Sequence, residues 1–380
     1  LERLLEWLGA LRSPVVLLSA TLSSGRRQRL LDSYSRGMGS TASAPPVPLY
    51  PRVTWAGVSQ AGAEYVAPSA RSVRKLLLER VDDSIEVLAD SLADALRQGG
   101  CAAVICNTVA RAQAVYRALS RTFSPRTELA LFHARFMEDD RRRIEADCVR
   151  RFGPRDSAPD RPSRFVLVAT QVIEQSLDLD FDVMFTELAP VDLLLQRSGR
   201  LQRHDRGSRV PLLRVLWPRT AADGLPEFER RNTRVYDEHI LLRTWHTLRE
   251  RTELSIPGDV QEIVDLVYRD DEATPADADA ARDGHGVGGS CLHVGIRVIW
   301  GGPATVTCRT ARGARRRGEH VTMRPRRARR ERPPVAVFEV GMQYGRWLAF
   351  LTLWLLWADA FAHPLGDPPG RPVDVGGRPK

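Results

Sequence analysis

Residues 165–203, FVLVATQVIEQSLDLDFDVMFTELAPVDLLLQRSGRLQR, decide the fold of this chain. A hydrophobic strand runs into a polar turn, a second strand follows, and a short helix ends in paired arginines within Q-R-S-G-R-L-Q-R, residues 196–203. Arg200 and Arg203 stand three positions apart, a spacing that places both on one face of a helix. Two guanidiniums at a fixed spacing suit a polyphosphate whose charge grows during hydrolysis. The pattern is typical of an arginine finger.

Strand and helix signals alternate on both sides of this stretch. Hydrophobic periodicity predicts helices over 84–97, 109–121, 139–152 and 191–198, and strands over 102–106, 128–132, 164–169, 182–187 and 210–217. Buried strands that alternate with amphipathic helices form a parallel sheet covered on both faces. We therefore predict an α/β fold built on a doubly wound parallel sheet.

The composition changes outside this region. A helix over 1–10 and a buried strand over 15–18 come before a Pro-rich joint at 44–51, which indicates a linker. An apolar helical stripe continues through 235–268, whereas Ala, Asp, Gly, Arg and Pro dominate beyond 271. The arginine tract 312–332 is typical either of a solvated, disordered segment or of a nucleic-acid-binding one.

Charge and cysteine content limit the class of protein. The 380 residues carry a net charge of +9, which favours an anionic partner, although a GC-rich coding sequence produces the same arginine bias. The five cysteines form no C-x-x-C pair, so we expect no zinc knuckle and no disulfide framework, and a reducing cytoplasm fits best. The most apolar run, 347–358, is shorter than the roughly 20 residues of a membrane span, so no membrane partner is expected.

Four polar segments follow predicted strands, and each has an ordinary structural interpretation beside a functional one. A hydroxyl or amide at such a position caps a helix, yet the same helix N-terminus can receive a backbone phosphate. A lone loop histidine is more often a satisfied polar group than a ligand, whereas a histidine and an arginine before a basic helix can follow a phosphate backbone. The candidate nucleic-acid-binding residues are Ser19, Thr21, Asn107, Thr108, His133, Arg135, Thr170 and Gln171.

Residues 168–180, VATQVIEQSLDLD, are more specific than these short segments because they combine with the arginine motif. Asp178 is expected to approach a nucleotide ribose or the finger arginines, and Gly199 to allow close chain approach before the arginine turn. Gln196, Arg200 and Arg203 are the candidate catalytic residues. Asp178, Gly199, Arg200 and Arg203 are the candidate nucleotide-binding residues, and no metal-binding residue is predicted.

Taken together, these sequence motifs resemble the helicase core of the CRISPR-associated helicase-nuclease of type I systems, a superfamily 2 DExH-type helicase. The phrases that carry the resemblance are CNTVARAQAVY, LFHARF, DDRRRIE, VATQVIEQSLDLDFD, ELAPVDLLLQRSGRLQRHDR and VYDEHILLRTW, all within residues 1–268. The resemblance implies RecA-like motor domains that use ATP and Mg²⁺ to move along single-stranded DNA in the 3′ to 5′ direction. It also implies recruitment by an RNA-guided CRISPR surveillance complex, and cutting by an HD nuclease domain in antiviral defence.

On this resemblance the chain is expected to be a C-terminal portion of such a protein. The expected parts are a C-terminal remnant of the first motor domain (1–43), a linker and entry to the second domain (44–75), the second RecA-like domain (76–220), a helical extension (221–270) and a low-complexity or disordered tail (271–380).

Three family features are missing from the sequence. The only lysines are Lys75 and Lys380, and neither stands before Ser or Thr, as a G-x-x-x-x-G-K-[ST] phosphate loop requires. A D-E-x-H box before the S-A-T segment and an HD nuclease cluster are also absent. We therefore expect ATP and Mg²⁺ to be held mainly by a missing first motor domain, and the chain alone to be inactive.

Two other functions stay open on the residues alone. One is a stand-alone DExH-type RNA helicase, which a preference for RNA over single-stranded DNA would distinguish. The other is a non-catalytic nucleic-acid-binding fragment or pseudoenzyme, which an independent reading frame with its own start site would favour.

Overall fold

The computed structural model describes residues 1–41, 44, 49–69, 72–123, 127–154, 160–174, 177–206 and 210–269, and the backbone of 335–339. The helices are α1 Glu2–Ala10, α2 Ser24–Met38, α3 Ile85–Ala95, α4 Val109–Thr122, α5 Glu138–Phe152, α6 Val191–Ser198, α7 Arg230–Thr233, α8 Glu238–Leu248 and α9 Val260–Tyr268. The strands are β1 Val16–Ser19, β2 Arg52–Ala56, β3 Ala61–Tyr65, β4 Arg74–Asp82, β5 Gly100–Ile105, β6 Glu128–Phe132, β7 Arg164–Ala169, β8 Val183–Glu187, β9 Leu212–Trp217, β10 Glu253–Ile256 and β11 Val335–Glu339.

A seven-stranded sheet in the order β10-β4-β9-β8-β5-β7-β6 forms the centre of the fold. Its six strands from β4 to β9 are parallel, and β10 adds to β4 antiparallel at one edge. Helices α3 and α4 contribute to the core on one face, while α5, α6, α8 and α9 contribute to the core on the other. The predicted doubly wound α/β sheet is confirmed.

Alternation along the central strands creates these two cores. In β5 the side chains of Ala103 and Ile105 belong to one core, and those of Ala102 and Val104 to the other. All four are fully buried, as expected for a strand with helices on both faces. Because β5, β6 and β7 are parallel neighbours, the polar segments that follow them come out at the same edge of the sheet.

A second sheet of four strands in the order β1-β11-β2-β3 corrects the expected linker at 44–75. Strands β2 and β3 form an antiparallel hairpin within that range, and β4 already begins at Arg74. A Cβ at Gly62 would overlap the Trp55 ring, so glycine is what lets this ring lie across the neighbouring strand. The Pro-rich composition of residues 44–51 indicated a linker, and the hairpin that follows these residues was therefore not predicted.

The expected helical extension and tail each contain a strand. Strand β10 lies between α8 and α9, and β11 pairs parallel with β1 and antiparallel with β2. The other residues expected to form the tail, 271–334 and 340–380, lie outside the described residues. None of the described helices is both long and apolar enough to cross a membrane.

Helix α9 connects the two sheets through polar contacts. The Gln261 side chain accepts hydrogen bonds from Arg27 (3.3 Å) and from Arg52, and its Nε2 donates to Ser24 Oγ (3.2 Å). Asp265, one turn later, accepts from the Ser24 backbone N–H (2.6 Å). The extension is therefore bound to the segment that follows the S-A-T residues.

Candidate nucleotide and nucleic-acid site

The two predicted finger arginines lie on a turn after a helix, which corrects the expectation that they share a helical face. Helix α6 ends at Ser198. Phe181 N–H donates to Arg200 O (2.9 Å), Gln202 N–H donates to Phe181 O (2.8 Å), and Gln202 takes a positive φ of 47°. The segment that leads into β8 therefore clamps the turn and ends the helical path before Arg200.

Residues 199–203 form the arginine turn. Arg74, at the start of β4, binds both this turn and the end of α6. Its guanidinium donates to Ser198 O (2.7 Å) and Leu201 O (2.8 Å). Burial, followed by the nearby charge of Arg203, lowers the pKa of Arg74 to about 10. No motif identified Arg74, because its partners are backbone carbonyls that are distant in sequence.

Arg200 has an unused hydrogen-bond donor. Its Nη2 donates to Glu174 O (3.0 Å), whereas its buried Nε has no hydrogen-bond partner among the described residues. Burial, followed by the Arg203 charge, lowers the pKa of Arg200 to about 10, so the guanidinium remains charged at neutral pH. The buried Nε of Arg74 is unpaired in the same way, so it is the position of Arg200 beside a second guanidinium, that of Arg203, which suits an anionic ligand.

Arg203 is paired with Asp178. Its Nε lies 2.6 Å from Asp178 Oδ1, and the His204 ring lies 3.3 Å from the same oxygen. The His204 imidazole and the Arg203 guanidinium lower the pKa of Asp178 to about 2. Asp178 therefore contacts Arg203, one of the two predicted finger arginines.

Asp180 anchors the same turn and is not among the predicted site residues. Its carboxylate is 1% exposed and accepts from the Arg203 backbone N–H (2.6 Å) and from Arg206 Nε (2.8 Å). The D-L-D-F-D repeat at 178–182 contains a usable signal, because alternate residues of an extended segment lie on one side.

Arg197 is the buried centre of the site and was also missed. Its Nε donates to Glu174 Oε1 (2.7 Å), its Nη1 to Thr186 Oγ1 (2.7 Å), and its Nη2 to the Tyr236 hydroxyl (3.2 Å). The side chain is fully buried, so these contacts offset its desolvation. Gln196 beside it is half-buried and makes no side-chain hydrogen bond with the described residues, and Gly199, at the end of α6, has an ordinary φ of −63°.

Three of the predicted nucleic-acid residues are buried at the carboxyl edge of the large sheet. Asn107 donates to Leu188 O (2.7 Å), and Thr170 is 3% exposed. His133 stacks on Phe136 with ring centroids 4.4 Å apart, and burial lowers the pKa of its imidazole. These three side chains therefore pack inside the protein at this edge and are not exposed on its surface.

Three others reach the surface of that edge. Thr108 is half-buried and caps α4 through an Arg111 N–H···Oγ1 bond (3.2 Å), whereas Arg135 is exposed and makes no ion pair with the described residues. Gln171 is half-buried and donates through Nε2 to Asn107 O (2.8 Å) and to the Tyr236 hydroxyl (2.9 Å).

Ser19 and Thr21 lie at the end of β1, in the other sheet. The Ser19 hydroxyl donates to Thr21 O (2.6 Å), and the Tyr50 hydroxyl donates to Ala20 O (2.5 Å). Thr21 is 6% exposed. The S-A-T segment is thus held by a local hydrogen bond and by Tyr50, which precedes β2.

The described residues fit a phosphate better than a metal ion. The arginine turn offers guanidinium donors, but no three His, Cys, Asp or Glu side chains in the described ranges are placed to hold a metal. A cavity of about 550 Å³ at the start of α3 has an excess of carboxylates and does not suit a polyphosphate. Its charged lining residues are Asp83, Glu86, Arg111, Arg219, Glu227 and Glu229.

Residues 98–206, which contain the arginine turn and the carboxyl edge, match the family described as CRISPR-associated nuclease/helicase Cas3, C-terminal. This segment belongs to the Cas3 family. A CRISPR-associated endonuclease/helicase Cas3 of Thermus thermophilus is 34% identical over 311 residues, and one of Escherichia coli K12 is 34% identical over 288 residues. These matches cover 70% and 72% of the chain.

Solved Cas3 structures share the fold. A structure described as a CRISPR-associated protein is 48% identical, with a TM-score of 0.67 over 73% of this chain and 32% of its own. T. fusca Cas3 with AMP-PNP is 39% identical, with a TM-score of 0.62 over 74% of this chain and 35% of its own. The expected RecA-like fold class is confirmed by this likeness.

The chain spans about a third of the length of the curated relatives, with 32% of the T. thermophilus protein and 31% of the E. coli protein matched. A further match, 38% identical with a TM-score of 0.60, covers 74% of this chain and 37% of a chain in a pre-nicking CRISPR RNA-guided surveillance complex.

Proposed function

We propose that this chain is the arginine-bearing part of an ATP-dependent, single-stranded DNA helicase of a type I CRISPR interference system. The observation that carries the proposal is the arginine turn inside the Cas3 segment, where the guanidinium of Arg200 lies close enough to the charge of Arg203 to have its pKa lowered by it. T. fusca Cas3 is described with AMP-PNP, ADP and ATP, which supports a nucleotide triphosphate as the anion.

Arg200 and Arg203 bind the triphosphate and stabilise the charge that grows as the terminal phosphoryl group leaves. Arg203 first exchanges the Asp178 carboxylate for phosphate oxygens, while Glu174 O continues to orient Arg200. ATP supplies the free energy that drives movement along DNA. Gln196 is proposed to face the same ligand from the last turn of α6, and Gly199 to link that turn to Arg200.

The carboxyl edge of the large sheet binds the single strand. Arg135 contributes a phosphate contact and Gln171 a polar one, while the α4 N-terminus at Thr108 receives a second phosphate. Asn107, His133 and Thr170 position these groups from the interior, and Ser19 and Thr21 contact the strand from the smaller sheet.

A first motor domain with the phosphate loop and carboxylate box supplies the rest of the nucleotide site, including Mg²⁺. The isolated chain therefore does not hydrolyse ATP. In the complete assembly, an RNA-guided surveillance complex recruits the motor in the cytoplasm, and an HD nuclease domain degrades the DNA that the motor unwinds, in defence against phage and plasmids.

Fluorescence anisotropy with an oligothymidine, titrated with salt, tests the DNA arm of the proposal. We expect Arg135→Ala to weaken binding and to reduce the slope of log affinity against log salt by about 0.7, the value for one phosphate contact on a single strand. The control is Arg142→Ala, since Arg142 is exposed but paired with Glu138 (3.1 Å).

Two outcomes contradict the proposal. Failure of the full chain to bind oligothymidine removes the single-stranded DNA function. Tighter binding to an RNA oligomer of the same length favours the RNA helicase interpretation instead.

A further inference from the structure

Tyr236 lies between α7 and α8, in the VYDEHILLRTW motif that contributes to the family resemblance, and is not among the predicted site residues. Its hydroxyl oxygen is 2.9 Å from Gln171 Nε2, at the DNA edge, and 3.2 Å from Arg197 Nη2, in the helix that leads to the arginine turn. A residue of the extension therefore contacts both halves of the proposed site.

Donor and acceptor chemistry fixes how these groups are oriented. The Asn107 carbonyl can only accept, so the Gln171 atom facing it is the amide nitrogen, which also donates to Tyr236. Arg197 can only donate. The Tyr236 oxygen therefore accepts two hydrogen bonds, and the Gln171 carbonyl oxygen makes none with the described residues.

The contacts continue from Arg197 to the finger. Arg197 Nε donates to the Glu174 carboxylate (2.7 Å), and the Glu174 carbonyl accepts from Arg200 (3.0 Å). Arg197 is fully buried and Glu174 is 8% exposed, so solvent does not screen these bonds as it screens surface pairs. Gln171, Tyr236, Arg197 and Glu174 thus form a continuous series of contacts that leads to Arg200.

We propose that Tyr236 is a positioning residue that couples single-stranded DNA bound at Gln171 to the placement of Arg200. The inference rests on the proposed function and adds a residue of the extension to it. In this coupling, the side-chain carbonyl oxygen of Gln171 accepts a hydrogen bond from a DNA base. A phosphate cannot take this place, because its oxygens have no proton to donate. When Gln171 shifts towards the base, its hydrogen bond to the Tyr236 hydroxyl changes, and the hydrogen bond between Tyr236 and Arg197 changes with it.

Tyr268 provides a matched control. Its hydroxyl likewise bonds a residue of α6, here by donating to Asp192 (2.5 Å), but it bonds neither Gln171 nor Arg197. Tyr236→Phe and Tyr268→Phe each remove one partly buried hydroxyl and keep the ring. A purely structural effect on α6 is expected from both variants, whereas loss of coupling is expected only from the first.

Hydrogen–deuterium exchange of the full chain, with and without a saturating oligothymidine, tests the proposal. In the unsubstituted chain we expect DNA to slow exchange across residues 196–206 by at least about threefold, the scale of measured coupling between sites. Tyr236→Phe should still bind DNA and protect the edge around residues 108 and 135, but lose the protection at 196–206. Tyr268→Phe should keep both.

The proposal is overturned if Tyr236→Phe retains the protection at 196–206, or if the unsubstituted chain binds DNA without any change there. Either result leaves the proposed DNA binding intact. Absence of DNA binding by the unsubstituted chain instead removes the proposed function, together with this inference.

Discussion

At the scale of single residues, burial separates the arginines of the Q-R-S-G-R-L-Q-R motif into two roles. Arg197 is fully buried and holds Glu174, Thr186 and Tyr236, whereas Arg200 and Arg203 lie on the turn beyond the helix. The spacing of the motif points to Arg200 and Arg203 but does not reveal Arg197. Its partners come from three separate segments, and only the folded chain brings them together.

The Asp178 pair makes a pH-dependent contribution that can be measured. Its pKa is lowered to about 2, so the stabilisation is present above the unfolded pKa near 4 and is lost as pH falls towards 2. We expect Asp178→Asn to be less stable than the unsubstituted chain at pH 5, and the difference to shrink by pH 3. The carboxylate is 49% exposed, so solvent screening limits the difference to about 1 kcal/mol or less.

Urea unfolding at pH 5, 4 and 3 measures this difference. Asp205→Asn is the control, because Asp205 is exposed and forms no ion pair within the described residues. A difference for Asp178→Asn that stays constant over this range would show that the pair with Arg203 and His204 does not stabilise the fold.

At the scale of elements, hydrophobic runs located the strands and helices between residues 84 and 217 to within about two residues. Strands β6 and β7 and helix α6 have the predicted bounds. Strands β2, β3 and β10 were missed because each is only four or five residues long and contains polar residues. Their pairing partners, not their own composition, make them strands.

Helix α9 has a measurable role in joining the two sheets. Gln261→Leu removes the acceptor that Arg27 and Arg52 share, and also removes the donor to Ser24. We expect a loss of about 2–3 kcal/mol in the free energy of unfolding, since hydrogen bonds to charged groups contribute about that much. Urea unfolding at neutral pH provides the measurement.

Glu262→Gln on the same helix is the matched control. Its partner is Arg251, and the Glu262 side chain is 61% exposed, so we expect a change within about 0.5 kcal/mol. Equal effects of the two substitutions would contradict a special role for Gln261 between the sheets.

At the scale of the whole molecule, the sequence was sufficient for the fold class and for the family resemblance. The fold class follows from strong hydrophobic periodicity, and the family resemblance follows from long, specific sequence motifs. The inward orientation of Asn107 and the connections of Tyr236 and Asp180 could not be predicted, because hydrogen-bond partners distant in sequence determine them. Motifs identify a segment, while burial decides which of its side chains meet a ligand.

ATP hydrolysis by the purified chain, with and without oligothymidine and beside Arg200→Ala, tests the central claim most directly. The account predicts that both proteins show the same background rate, while salt-sensitive DNA binding persists, because it assigns the residues that hold the remaining phosphates to another domain. DNA-stimulated hydrolysis that disappears in Arg200→Ala would contradict it, and would place a complete nucleotide site within these 380 residues.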